Sequence, residues 1–177
     1  IESAKAINND LCDFAVIDVE TTGLDPEKDS ILEIAAIKYC SGEETQAFNR
    51  IIKCGHPLKA EIVNLTGITD EYVEENGVDI SEALNDFWSF VGKNSLVGYN
   101  IPFDMSFLRN SSIAHNVNMN SNRCIDILPL ARRKITGIKN YKMSTVAEKL
   151  EVVIGQAHRA ENDCRIAFEI YRKLNKK

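Results

Sequence analysis

The sequence predicts an α/β fold built on one mixed, partly antiparallel sheet. Three apolar runs rich in branched and aromatic residues come first, separated by short polar turns, and helix signals then alternate with short apolar stretches to the end of the chain. No internal repeat, low-complexity tract or interdomain linker interrupts this order, so residues 1–177 are expected to form a single domain.

Residues 14–20 read as a buried strand, followed by a polar loop, 21–29, that contains Gly23 and Pro26. Residues 31–39 form a second apolar run. Ser41-Gly42-Glu43-Glu44 turns the chain, and 45–52 returns as a third strand of an antiparallel meander. Beyond Pro57, residues 60–65 read as a short helix closed by Gly67, and Thr69-Asp70-Glu71 opens another turn. Asp79-Ile80-Ser81-Glu82 is a capping pattern, with Ala83, Leu84, Phe87, Phe90 and Val91 on one helical face behind it. Residues 95–99 read as a short strand, and Pro102 suits the opening of a helix over 103–111 with Asp104 in its first turn. A strand over 124–126 and a helix over 127–135, ending in Arg132, Arg133 and Lys134, come next. Ser144 is expected to cap a helix over 145–150. The last helix, 160–173, places Cys164, Ala167, Phe168, Tyr171 and Leu174 on a buried stripe.

At 177 residues, 44% hydrophobic and 27% charged, the chain can bury a full core without disulfides or a structural metal. The five cysteines, 12, 40, 54, 124 and 164, form no Cys-x-x-Cys pair and fit free thiols in a reducing compartment. Cys12, Cys40 and Cys164 are expected to serve packing, as is Trp88, and Cys54-Gly55-His56 reads as a loop rather than a metal site. With no apolar run of membrane-spanning length and no signal-peptide pattern at Ile1-Glu2-Ser3-Ala4-Lys5, a cytoplasmic protein is expected. A start without Met, and an end soon after the last chemically interesting block, fit a trimmed or excised domain. The net charge of −5 argues against nucleic-acid binding through a broad basic surface. It leaves open an acidic site that meets phosphates through bound cations.

The chemistry centres on Asp18-Val19-Glu20-Thr21-Thr22-Gly23-Leu24. In a strand, Asp18 and Glu20 project from the same side, one pleat apart. Two carboxylates that close are either a wet strand face or half of a hard-cation site for Mg²⁺ or Mn²⁺. Asp104, in Asn100-Ile101-Pro102-Phe103-Asp104, and Asp163, in His158-Arg159-Ala160-Glu161-Asn162-Asp163, both sit at helix starts, where a carboxylate also complements the helix dipole.

In this order the three blocks resemble the DEDDh (DnaQ-like) family of 3'-to-5' exonucleases, which includes the proofreading epsilon subunit of bacterial DNA polymerase III. Leu65-Thr66-Gly67-Ile68-Thr69-Asp70 and Tyr141-Lys142-Met143-Ser144-Thr145-Val146 add to the likeness. The resemblance implies a ribonuclease H-like fold: a five-stranded mixed sheet, the first three strands an antiparallel meander, flanked by helices. It implies that Asp18, Glu20, Asp104 and Asp163 hold two Mg²⁺ or Mn²⁺ ions about 3.5 to 4 Å apart, and that His158 is the base that deprotonates the attacking water. It further implies that Thr21 contacts the 3'-hydroxyl and Leu24 the last base, that Phe103 walls the pocket, and that Asn100 lies near the substrate or holds the second block's loop. Tyr99 stands where the proofreading subunit commonly has a histidine. The implied reaction releases nucleoside 5'-monophosphates from single-stranded or frayed DNA 3' ends, with trimming of short or structured RNA as the alternative and a DNA polymerase catalytic subunit as a further partner. The basic group Arg132, Arg133, Lys134, Lys139 and Lys142 is either a track for the substrate backbone or a solvated helix end.

Overall fold

The computed structural model describes residues 2–3, 14–153 and 158–175. Its sheet has the order β1-β7-β6-β2-β3-β4-β5. The strands are β1 (Glu2–Ser3), β2 (Phe14–Thr21), β3 (Ile31–Cys40), β4 (Glu43–Ile52), β5 (Gly77–Val78), β6 (Ser95–Gly98) and β7 (Cys124–Asp126). The pairs β2–β3 and β3–β4 are antiparallel and the others parallel. The five anticipated strands are all present. The two additional strands, β1 and β5, are two-residue pieces at the sheet's outer edges.

The central strands read as unbroken apolar runs because both faces are covered. On one face Phe14, Val16, Ala35 and Ile37 pack under helix α7 (Ala160–Asn175), with α5 (Leu128–Lys134) and α6 (Met143–Lys149) contributing. The Phe14, Tyr39 and Phe168 rings stack there, Tyr39 to Phe168 at 3.7 Å. On the other face Ala15, Ile17, Val19, Ile34 and Ala36 pack under α3 (Ile80–Val91) and α4 (Ile101–Ala114). A smaller cluster, Leu32, Ile51, Ile68 and Val73, seats α1 (Ala60–Thr66) and α2 (Asp70–Asn76).

Local chemistry explains the helix limits. Asp79 caps α3 by accepting the Ser81 N–H at 2.8 Å, and the left-handed Gly67 (φ 71°) closes α1. The turn anticipated at 69–71 is the start of α2, because the Thr69 hydroxyl accepts the Tyr72 N–H at 3.1 Å and so supplies a cap. Ser144 is not a cap: α6 begins at Met143, and the extended residue before it is Lys142. In α3 the turn of the helix buries Trp88, whose indole donates to the Ser112 hydroxyl at 3.0 Å, more fully than Phe90. Cys164 is buried as anticipated, whereas Cys40 ends β3 half-exposed and does not serve the core; Cys12 lies outside the described residues. Among the described residues no helix is long and apolar enough to cross a membrane.

Candidate active site

Strand β2 loses its parallel neighbour early, since β6 pairs only with Phe14, Ala15 and Val16. Past that point the β2 backbone has a free edge, and Asp104, in the first turn of α4, fills it by accepting the Val19 N–H at 3.0 Å. Its approach is set by the turn before it. Asn100 adopts the left-handed conformation (φ 65°), and its N–H donates to Asp126 Oδ1 at 2.8 Å. The same oxygen accepts the Leu128 N–H at 3.1 Å. Gly98 lets the turn pass close to Ile101: a Cβ on it would lie 3.1 Å from the Ile101 side chain, which would have to give by a few tenths of an ångström. Tyr99 donates its hydroxyl to the Tyr141 carbonyl at 2.7 Å, so it ties this turn to the 141 loop.

Asp18 and Glu20 continue the row begun by Phe14 and Val16, on the face covered by α7. That helix brings Asp163, which is buried, with His158 exposed just ahead of its first turn. The Asp163 Oδ2 accepts the His158 backbone N–H at 3.2 Å, while its Oδ1 is buried without a hydrogen-bond partner among the described residues. Ligand atoms of Glu20, His158 and Asp163 lie within 4.8 Å of one another, the one such metal-capable group among the described residues.

Burial, followed by repulsion from Asp104, Asp163 and Glu20, pushes Asp18 well above the usual carboxylate range. Glu20 is pushed up to about 8 by burial and then by Asp163, Glu33 and Asp104. Asp104, again through burial, is raised to about 8, and Asp163 to about 6. Four neighbouring acids, each raised chiefly by burial, with a buried carboxylate oxygen that has no partner among the described residues, are a donor set suited to a hard divalent cation.

The other residues named from the resemblance lie on the same segments, Thr21 and Leu24 at the end of β2 and in the loop after it, Asn100 and Phe103 at the start of α4. Thr21 ends β2 and donates its hydroxyl to the Gly23 carbonyl at 2.5 Å. Leu24 is 83% exposed. Phe103, beside Asp104, is half-buried with its ring 5.0 Å from Phe107. Asn100 is exposed at the α4 turn. Of the basic group, Lys134 is engaged with the Leu174 carbonyl, while Arg132, Lys139 and Lys142 are exposed.

One residue at the site was not anticipated. Glu33 is opposite Glu20 in the β2–β3 register and is wholly buried. The Arg159 fork donates to it, Nε to Oε2 at 3.2 Å and a terminal nitrogen to Oε1 at 3.1 Å. It also accepts the Ala160 N–H at 3.1 Å and the Asn49 amide at 2.7 Å. The available signal was a single acid inside the apolar run Ile31-Leu32-Glu33-Ile34-Ala35-Ala36-Ile37, since a charge in a strand buried on both faces needs a partner.

Sheet order, free strand edge and acidic cluster together define a ribonuclease H-like nuclease domain. The RNase_T exonuclease model matches residues 15–171, and the chain belongs to this family of DnaQ-like 3'-to-5' exonucleases. It is 37% identical over 164 residues to the PolC-type DNA polymerase III of Listeria innocua, covering 92% of this chain and 11% of that polymerase. Among solved structures it superposes on exonuclease I with a TM-score of 0.81 at 22% identity, over 91% of this chain and 40% of that one. With the Escherichia coli exonuclease I complex with a dT13 oligonucleotide the TM-score is 0.79 at 21% identity, over the same 91% and 40%.

Proposed function

We propose that residues 1–177 act as one exonuclease domain that removes nucleotides from the 3' ends of single-stranded or frayed DNA. The observation that carries this reading is the convergence of Asp18, Glu20, Asp104, Asp163 and an exposed His158 where β2 outruns its neighbour. DNA as substrate is supported by the likeness to PolC-type DNA polymerase III and to an exonuclease I structure that holds dT13. The chain spans about a ninth of the polymerase relatives' length, and their name supports a DNA polymerase catalytic unit as a partner.

In this reading Asp18, Glu20, Asp104 and Asp163 hold Mg²⁺ or Mn²⁺, which when bound supplies Lewis acidity and charge neutralisation at the scissile phosphate. Leu24 lies against the terminal base and Phe103 walls its pocket. Apolar contact with a base face tolerates any base. Thr21 meets the 3'-hydroxyl, and Asn100 holds the turn that delivers Asp104. His158 accepts the proton of the attacking water and, being exposed, passes it to solvent. The water oxygen bonds to phosphorus, the bond to the penultimate 3'-oxygen breaks, and a nucleoside 5'-monophosphate leaves.

The test is to incubate end-labelled single-stranded DNA and RNA oligonucleotides with Mn²⁺, with and without EDTA. Shortening of the DNA from its 3' end, abolished by EDTA and by Asp18→Ala, is the expected result. RNA shortened in preference to DNA would move the substrate class, and no shortening of either would overturn the reading.

A further inference from the structure

Glu33 has no place in the reaction described above, yet it is the most elaborately satisfied side chain near the site. A wholly buried carboxylate is costly unless paired and hydrogen-bonded. Glu33 answers that cost with partners from two places: Asn49 on the neighbouring strand, and Arg159 with the Ala160 N–H at the start of α7. The second pair lies 126 and 127 residues away in sequence and directly follows His158. The guanidinium is held from its other side as well, 5.6 Å from the centre of the Tyr72 ring on α2.

His158 itself has little to orient it. Its backbone is left-handed (φ 62°), and among the described residues no group hydrogen-bonds its imidazole ring. A general base works only when its nitrogen is aimed, commonly by a third group bonded to the opposite ring nitrogen. Among the described residues, what fixes it is the Asp163 carboxylate on its own N–H and the Glu33 latch on the two residues that follow.

From this geometry we infer that Glu33 is a positioning residue: through Arg159 and the Ala160 N–H it pins the start of α7 to the sheet and thereby sets His158 opposite Glu20. The inference rests on the exonuclease reading and on His158 as its base. The Glu33 oxygens are taken up by Asn49, Arg159 and the Ala160 N–H, so its loss is expected to act chiefly on the rate, and Arg159→Lys, which keeps both charges, separates that loss from the charge Glu33 presents to Glu20 and Asp163. Displacements of about an ångström at a reacting group cost up to about a hundredfold in rate.

The experiment compares Glu33→Gln, His158→Ala and the double variant, with Arg159→Lys as a second way to open the fork without burying an amide. Turnover and KM on a labelled single-stranded DNA oligonucleotide, Mn²⁺ affinity and the thermal midpoint are read for each. Expected for Glu33→Gln is a fall in kcat of about ten- to a hundredfold, with KM and Mn²⁺ affinity within about threefold. Arg159→Lys moves in the same direction. In the His158→Ala background, Glu33→Gln should then change kcat by less than about threefold, because the group it positions is gone. An undiminished kcat in Glu33→Gln, or the same loss with and without His158, overturns the inference while leaving the exonuclease reading intact. Full activity of His158→Ala removes His158 as the base, and with it this inference, while the exonuclease reading stands. If Glu33→Gln does not fold, Arg159→Lys alone and in the His158→Ala background decides the matter by the same criteria.

Discussion

Glu20 and Glu33 face each other across the antiparallel β2–β3 pair, and only Glu33 has a hydrogen-bonded cation among the described residues. Like charges opposite one another on a sheet are destabilising. The arrangement persists because Arg159 neutralises one carboxylate, and in the proposed reading the other meets a cation.

Stability of the metal-free protein should fall as pH rises. Glu20 and Asp104 are raised to about 8 and Asp163 to about 6, chiefly by burial, whereas unfolded carboxyls titrate near about 4. The folded state therefore holds its protons more tightly, and this contribution, complete below about pH 4, is lost as pH climbs through about 8. In EDTA the thermal midpoint should drop by about 5 °C or more between pH 6 and pH 8.5. Mn²⁺ should restore more of it at pH 8.5 than at pH 6. A midpoint flat across this window in EDTA would contradict the electrostatic picture of the site.

Asp18→Asn should separate function from stability. It removes a carboxylate that repels Asp104, Asp163 and Glu20, so the metal-free protein at pH 8 should melt about 2 to 4 °C higher than the wild type. Exonuclease turnover should fall by about a thousandfold, since a lost ligand removes several kcal/mol of charge stabilisation at the phosphate. A variant that is both less stable and still active would mean that Asp18 serves packing alone.

Leu24→Ala should behave in the opposite way. The side chain is 83% exposed, so the thermal midpoint should shift by less than about 1 °C. Covering a leucine with a base recovers about 1.5 kcal/mol or more, so KM for the oligonucleotide should rise about tenfold with little change in kcat. An unchanged KM would remove Leu24 from the terminal-nucleotide pocket.

The fold was largely legible because its evidence is local. The apolar runs at 14–20 and 31–39 and the Asp79 cap announce their elements without reference to the rest of the chain. Ser144 misled because a serine in the first turn of a helix looks, in sequence, like a cap. Spacing alone made Asp104 legible as a helix start, and the family resemblance added it to the acidic group; the free edge of β2 that receives it depends on where β6 stops. Glu33 was hidden for the same reason, since its partner is 126 residues distant and a lone acid in an apolar run does not announce which cation it meets. What sequence spacing cannot carry is register, and register decides which carboxylates share the site.

Asp126 offers a test of how Asp104 is aimed. One of its oxygens, Oδ1, accepts both the Asn100 and the Leu128 N–H groups, and the residue is 6% exposed. An asparagine keeps an oxygen that can accept both bonds, whereas alanine leaves two backbone donors unsatisfied, at about 1 to 3 kcal/mol each. Asp126→Ala should therefore lower the thermal midpoint by about 5 to 10 °C and depress turnover, because the left-handed Asn100 turn that presents Asp104 to the Val19 N–H loses its anchor. Asp126→Asn should stay within about 2 °C of the wild type and retain most activity. Its lost charge also removes one of the influences that raise Asp104, so any change in metal-free stability at pH 8 should be upward. Equal damage from both substitutions would show that the Asp126 charge, and not its hydrogen bonds, holds the turn.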